Sequence, residues 1–252
     1  MHTRVLPEAH HRQVRSFVRR EGRTTAAQLR ALDSFLPRFE IAAAGPLNFD
    51  LVFGRRAPLY LEIGSGNGEC TKAFAESHPE NNYLAIEVHR PGLGHLLNLA
   101  VDAKLTNLRV ALRDVYTVLP QLAPESVTGI YVFFPDPWPK TRHQKRRLLQ
   151  NQFFAELQTI LHRHGRLYLA TDSASYSAHL DELIPNLNDW ENLSGTGLHA
   201  PRLKARPPTK FETRGLAAQH LICDYVLARR AHPTAAKASN LFTSANLNAA
   251  SS

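Results

Sequence analysis

The chain has 252 residues, of which 43% are hydrophobic, and this is enough for one sizeable hydrophobic core. Its net charge of +8 suits a polyanionic partner. Apolar runs of the roughly 18 residues that a membrane-spanning helix needs do not occur, so the composition excludes a membrane protein.

The chain opens with a basic segment, residues 1–24, which we interpret as an N-terminal arm. A helix is predicted next, because Thr25 and Gln28 have the spacing of a capping box. An apolar face follows on this helix, formed by Leu29, Leu32, Phe35 and Leu36. Residues 46–57 then predict a loop.

From residue 58 onward, apolar runs of strand length alternate with helical segments. The pattern predicts strands at residues 59–63, 83–88, 108–112, 130–134 and 167–170. It predicts helices between them at residues 71–77, 91–105, 115–122 and 144–162. This alternation predicts an α/β fold with a mostly parallel central sheet and helices on both faces. After a long irregular segment, residues 222–227 predict one more strand, and residues 231–252 predict a disordered tail.

A glycine-rich turn follows the first strand, with three glycines at alternate positions: Gly64, Gly66 and Gly68. Such a turn lets a ligand approach the backbone at the carboxyl ends of the strands. Successive strand ends carry Glu62, Glu87 and Asp114. Glu87 lies near the offset at which an acid accepts ribose hydroxyls, and Glu62 is placed to meet an amino group. These acids favour S-adenosylmethionine over NAD, whose dinucleotide turn has its third glycine one residue later.

A second unusual stretch follows the fourth predicted strand, where three prolines alternate with Asp136 and Trp138. Prolines fix their own φ and extend the residue before them, so Asp136 is held at the same sheet edge as the glycine turn. A proline-rich turn with a packed tryptophan would explain the prolines. It would explain neither the carboxylate nor the five cations in residues 140–147.

Positive charge is concentrated in three segments of the chain. Residues 1–30, 140–147 and 201–214 carry net charges of +5, +5 and +4, so the rest of the chain is net −6. Solvated basic surfaces are the simpler interpretation, but three clusters on an acidic body favour nucleic acid. The two cysteines and 13 histidines show no metal-ligand spacing, so we expect packed thiols in a reducing cytoplasm and no metal site.

Together these motifs resemble those of the bacterial tRNA (guanine-N7)-methyltransferases. The resemblance covers about residues 15–230 and is carried by residues 16–23, 61–68, 86–89, 135–140 and 209–215. It implies a Rossmann-like class I methyltransferase domain over residues 25–230, with a final antiparallel strand. It implies methyl transfer from S-adenosylmethionine to N7 of guanine 46 in the tRNA variable loop. It also implies a cytoplasmic monomer or homodimer, with tRNA as its partner, no membrane and no obligatory protein partner.

The resemblance further implies roles for individual residues. Asp136 is the catalytic candidate, and the cofactor-binding residues are Glu62, Gly64, Gly66, Gly68, Glu87, Asp114 and Asp136. The substrate-binding residues are Lys140, Asp172, Thr209, Lys210, Phe211 and Glu212. The RNA-contacting residues are Arg142, Lys145, Arg146 and Arg147. The last three of them lie at the start of the predicted helix 144–162. Two alternatives stay open: a non-catalytic RNA-binding protein on the same fold, and an NAD-dependent oxidoreductase.

Overall fold

The structure is a computed structural model that describes residues 24–195 and 197–230. Its strands are β1 (Leu59–Ile63), β2 (Asn82–Ile86), β3 (Leu108–Ala111), β4 (Val127–Phe133), β5 (Leu161–Thr171), β6 (Trp190–Asn192) and β7 (Cys223–Arg229). They form one sheet in the order β3-β2-β1-β4-β5-β7-β6. β1 to β5 pair in parallel, and β7 runs antiparallel to both of its neighbours.

Eight α-helices accompany the sheet in the described part of the chain: α1 (Ala26–Phe39), α2 (Phe49–Phe53), α3 (Glu69–Ser77), α4 (Arg90–Asp102), α5 (Val115–Val118), α6 (Asn151–Ile160), α7 (Ala174–Leu183) and α8 (Lys210–Ala217). Buried side chains of α1, α3 and α4 form one hydrophobic cluster with the sheet, and those of α6 and α7 form another. The predicted α/β fold with helices on both faces and a final antiparallel strand is therefore confirmed. Within the described residues, no helix is both long and apolar enough to cross a membrane.

Helix α1 begins as its sequence predicts. Thr25 Oγ1 accepts from the Gln28 backbone N–H at 3.2 Å, and Gln28 Oε1 accepts from the Thr25 backbone N–H at 2.8 Å. Leu32 is buried as predicted, but Leu29, which was predicted on the same apolar face, is 46% exposed. The helix packs against α4, where Gly94 permits close approach, because a Cβ there would lie 2.7 Å from the Gln28 carbonyl oxygen.

The predicted helix over residues 144–162 is confirmed only over α6, and its first part is wrong. The chain forms a 3-10 helix, Thr141–Arg146, then an extended passage, and only then α6. Helical bonding is interrupted because the Leu149 N–H donates to the Tyr176 hydroxyl at 3.1 Å, and because Gln150 is extended. β5 begins at Leu161, directly after α6 and within the predicted helix.

Several short elements escaped prediction. The predicted loop 46–57 contains α2, whose first N–H groups are capped by the Asn48 side chain. The segment interpreted as irregular contains α7, β6 and α8. The predicted helix 115–122 is α5 followed by a 3-10 turn, Leu119–Gln121. The tail, and all of the N-terminal arm except its last residue, lie outside the described residues.

Candidate active site

A pocket of about 340 Å³ opens at the carboxyl edge of the sheet. The ends of β1 to β4 and the start of α8 form its walls. Among the predicted cofactor residues, it is lined by Glu62, Gly64, Gly66, Glu87, Asp114 and Asp136. Among the predicted substrate residues, it is lined by Thr209, Lys210 and Phe211. Sequence motifs that lie far apart in the chain thus meet around one cavity.

Each glycine of the turn has a positive φ, of 77°, 57° and 84° in chain order. This backbone conformation favours glycine because it carries no Cβ. Gly68 does not line the pocket; it precedes α3, where a Cβ would lie 2.5 Å from the Leu96 side chain. Its role in this structure is therefore to pack α3 onto α4 and so shape the turn.

The Glu87 carboxylate organises the turn from the end of β2. Its Oε2 accepts from the Gly66 N–H at 2.7 Å, and its Oε1 accepts from the N–H groups of Val88 and His89 at 2.7 and 2.8 Å. Burial raises the pKa of Glu87, although these backbone bonds act against that effect. A carboxylate has about four acceptor positions, so three bonds leave one for a ligand hydroxyl.

Glu62 lies deeper, at the end of β1, and is 5% exposed. Its carboxylate accepts a short hydrogen bond from the Thr71 hydroxyl of α3. Burial raises the pKa of Glu62 to about 8, against the opposing effect of that bond. An acid that is mostly protonated at neutral pH would ionise on meeting a cationic ligand, because an opposite charge favours the carboxylate.

Two further groups complete the cofactor side of the pocket. Asp114 caps the N-terminus of α5, and its carboxylate accepts from the Tyr116 N–H at 3.1 Å. Ser65, inside the glycine turn, has a buried hydroxyl with no hydrogen-bond partner among the described residues. Because buried polar groups normally find partners, this hydroxyl is available to a polar ligand. Ser65 lies between the first two glycines of the turn, and the sequence alone did not single it out.

Asp136 reaches the pocket from a tight corner after β4. Phe134 and Trp138 both adopt left-handed backbone conformations, with φ of 52° and 43°, and the Phe134 N–H donates to the Ala170 carbonyl at 2.8 Å. Trp138 is buried, while Asp136 itself is exposed and lines the pocket. The corner is thus a packed turn that also presents a carboxylate to the cavity.

The basic run after this corner divides into two parts. Arg142, Lys145 and Arg146 are exposed on the 3-10 helix, and the Arg146 guanidinium lies 5.0 Å from the centre of the Trp138 ring. Arg147 is only 3% exposed. Its guanidinium donates to the Pro137 carbonyl at 3.0 Å and to the Ser175 hydroxyl at 3.2 Å. Arg147 therefore packs inside the fold, which corrects its placement among the RNA-facing residues.

The remaining predicted substrate residues do not line the pocket: Lys140, Asp172 and Glu212. Lys140 is exposed, and Asp172 lies 3.8 Å from the imidazole of His220. Glu212 is buried. Burial alone would raise its pKa, but hydrogen bonds from Arg202 and Arg206 hold that pKa below its ordinary value.

Charge in the third basic segment is partly neutralised within the protein. Arg202 Nε donates to Glu212 at 2.6 Å, and Arg206 pairs with both Glu212 and Asp224. In the sequence, these arginines were indistinguishable from surface cations, because their carboxylate partners come from α8 and β7. Cys70 and Cys223 are buried free thiols, and the described residues contain no cluster suited to a metal ion.

Known proteins are similar to this sequence over most of its length. The model of a family described as putative methyltransferases matches residues 56–225. The tRNA (guanine-N(7)-)-methyltransferase of Alkalilimnicola ehrlichii is 48% identical, over 88% of this chain and 95% of its own. The enzyme of the same name from Hydrogenovibrio crunogenus is 43% identical, over 89% and 94%.

Solved structures support the fold independently. The 16S rRNA methyltransferase KamB superposes with a TM-score of 0.53 over 73% of this chain and 93% of its own, at 13% identity. That likeness establishes the architecture alone. The sequence relatives, at more than 40% identity over nearly their whole length, establish the family. The chain belongs to the tRNA (guanine-N(7)-)-methyltransferase family.

Proposed function

We propose that this protein transfers a methyl group from S-adenosylmethionine to N7 of a guanine in tRNA, and that this guanine is position 46 of the variable loop. The observation that carries the proposal is the convergence of the glycine turn, Glu62, Glu87 and Asp136 on one cavity. The names of the relatives support the reaction and the tRNA substrate. The nucleotide position rests on the family resemblance.

The residues present fit the cofactor. Glu62 would hold the amino group, Glu87 would accept a ribose hydroxyl at its remaining position, and the Ser65 hydroxyl would gain a partner. A pocket of about 340 Å³ lies within the range of about 300–1,000 Å³ of small-molecule sites. When bound, S-adenosylmethionine supplies an electrophilic methyl group.

The proposed reaction requires the protein to position the reactants and does not require it to transfer a proton at the attacking atom. Guanine N7 carries a lone pair and no proton, so no general base is needed at that atom. Holding N7 in line with the methyl group supplies much of the acceleration. N7-methylation leaves a positive charge on the purine, which the Asp136 carboxylate would stabilise as it develops. The alternative role for the same carboxylate is to accept from guanine N1–H and N2–H, on the other edge of the base, which would give selectivity over adenine; Asp172 or Glu212 could share that role.

The RNA would approach across the pocket mouth. Lys210 and Phe211 stand exposed at the start of α8, and the surface cations Arg142, Lys145 and Arg146 follow the Asp136 corner. Proteins recognise RNA through loops and unstacked bases, which suits a variable-loop target. We further propose that residues 25–230 form the catalytic unit, that the N-terminal arm binds phosphates, and that the enzyme works in the cytoplasm as a monomer or homodimer.

The test is incubation with labelled S-adenosylmethionine and unmodified tRNA, followed by nucleoside analysis. We expect 7-methylguanosine, lost when position 46 is changed to adenine. Tight tRNA binding without product would support a non-catalytic RNA-binding protein. Binding of NAD in place of S-adenosylmethionine would support an oxidoreductase.

Asp136→Asn tests the assigned chemistry, because it keeps the shape of the side chain and removes its charge. Single-turnover methyl transfer with saturating tRNA should fall well beyond threefold, while tRNA affinity stays close to wild type. The matched control is Asp33→Asn, at an exposed carboxylate on α1. A rate within about threefold of wild type, or about 0.7 kcal/mol of barrier, would make Asp136 only a corner residue.

A further inference from the structure

Arg206 is a buried cation that the predicted site does not include. Its side chain is 0% exposed. The guanidinium donates to Glu212 Oε1 at 3.1 Å and to Asp224 Oδ2 at 3.1 Å, with a further short bond to Asp224 Oδ1. Taking a charge out of water is costly, and apolar side chains of similar volume often pack as well. A buried arginine at this place therefore needs an explanation beyond stability.

The partners of Arg206 come from separate elements around the pocket. Glu212 lies in α8, and Asp224 lies on β7. The guanidinium carbon also lies 5.0 Å from the ring centre of Phe133 and 5.5 Å from that of Phe134. Both phenylalanines line the pocket, as does the start of α8. One buried guanidinium thus contacts both α8, through Glu212, and the end of β4, through the two phenylalanine rings.

The end of β4 leads into the corner that carries Asp136. Phe134 has a left-handed φ of 52°, a conformation that bulky side chains rarely adopt. Such strain persists only where surrounding contacts over-determine the backbone. The Phe134 N–H is bonded to β5, and the Phe134 ring packs under Arg206. Any shift of Phe134 would displace Asp136, two residues later.

We propose that Arg206 is a positioning residue for methyl transfer, which fixes the Asp136 corner relative to the start of α8. This inference rests on the proposed function. A planar guanidinium can pair with two carboxylates and stack on two rings at once. A lysine ammonium keeps the charge but cannot reproduce that geometry, so the arginine is required for its shape.

The test is Arg206→Lys in the full-length enzyme. Single-turnover methyl transfer should fall by about 10- to 100-fold, as expected for a misplaced reacting group. Dissociation constants for S-adenosylhomocysteine and tRNA should stay within about threefold, which separates placement from binding. The matched control is Arg229→Lys, because Arg229 pairs with Glu125 near the opposite end of β7. That control should leave the rate unchanged.

A double-mutant cycle distinguishes positioning from general stability. If Arg206 acts through Asp136, then Arg206→Lys should cost less than about threefold in an Asp136→Asn background. Equal losses in both backgrounds would overturn the inference, as would an Arg206→Lys rate within about threefold of wild type. If the lysine variant does not fold, Asp224→Asn weakens the same contact outside the pocket lining and should show the same pattern at smaller amplitude. A wild-type enzyme without methyl transfer would refute the proposed function instead.

Discussion

The raised pKa of Glu62 predicts that cofactor affinity depends on pH. Burial holds this pKa at about 8, so the free protein keeps a proton on Glu62 at lower pH. The carboxyl is mostly protonated at both pH 6 and pH 7, and its ionised fraction rises about tenfold between them. The α-amino group of the ligand stays mostly charged over that range, because its pKa is no lower than the roughly 7.7–8.0 of a chain terminus. If ionised Glu62 holds this amino group, affinity rises about tenfold from pH 6 to pH 7.

The measurement is isothermal calorimetry with S-adenosylhomocysteine, which carries the same amino group and donates no methyl. At pH 7, binding should release about one proton, seen as a dependence of the heat on the buffer's ionisation enthalpy. Above pH about 8 the gain should level off, because Glu62 is then already ionised in the free protein.

Glu62→Gln is the decisive control for this prediction. The amide keeps the size of the side chain but cannot ionise, so both the affinity rise and the proton release should disappear. Glu87 also has a raised pKa and lines the same pocket. If the rise persisted in Glu62→Gln, it would belong to Glu87. An affinity constant within about twofold between pH 6 and pH 7 in the wild type would place the amino group elsewhere.

Two further predictions concern Glu87 and the exposed cations that follow the Asp136 corner. Glu87→Ala should weaken cofactor binding by about 1–3 kcal/mol, because a ribose acceptor and a partner of the glycine turn are lost together. If calorimetry showed an unchanged dissociation constant, the ribose hydroxyls would have to bind a residue other than Glu87. Replacing Arg142, Lys145 and Arg146 by glutamine should flatten the salt dependence of tRNA affinity by about 0.7–0.9 in log–log slope per lost contact. The control is Arg163→Gln, which removes an exposed cation at the start of β5 and should leave the salt dependence unchanged. An unaltered slope in the triple variant would mean that other residues contact the RNA.

Local pattern was enough to predict six of the seven strands and much of the pocket. A buried parallel strand is a continuous apolar run, and the turn after β1 needs glycines whatever surrounds it. The position of Asp136 followed from the same logic, because every parallel strand delivers its carboxyl end to one edge. These features depend on residues close together in the chain, which is why one sequence was sufficient.

Predictions for the residues after Asp136 failed where contacts with distant segments of the chain determine the structure. The periodicity of residues 144–162 is helical, yet the Leu149 N–H bonds to the Tyr176 hydroxyl of α7 and interrupts the helix. Arg147 looked like its three neighbours, but its guanidinium donates to the Pro137 carbonyl of the corner and to the Ser175 hydroxyl of α7. Nothing local to the sequence states which cation of a basic run has buried partners.

The two buried arginines explain how the corner can present an exposed carboxylate at a fixed place. Left-handed conformations at Phe134 and Trp138 cost roughly 1–2 kcal/mol each, so the turn does not hold its shape unaided. Arg206 packs on the ring before Asp136, and Arg147 bonds the carbonyl after it. Asp136 itself is exposed and lines the pocket. Variants of Asp136 consequently test the chemistry, whereas variants of the arginines test its placement, and the two sets of measurements are separable.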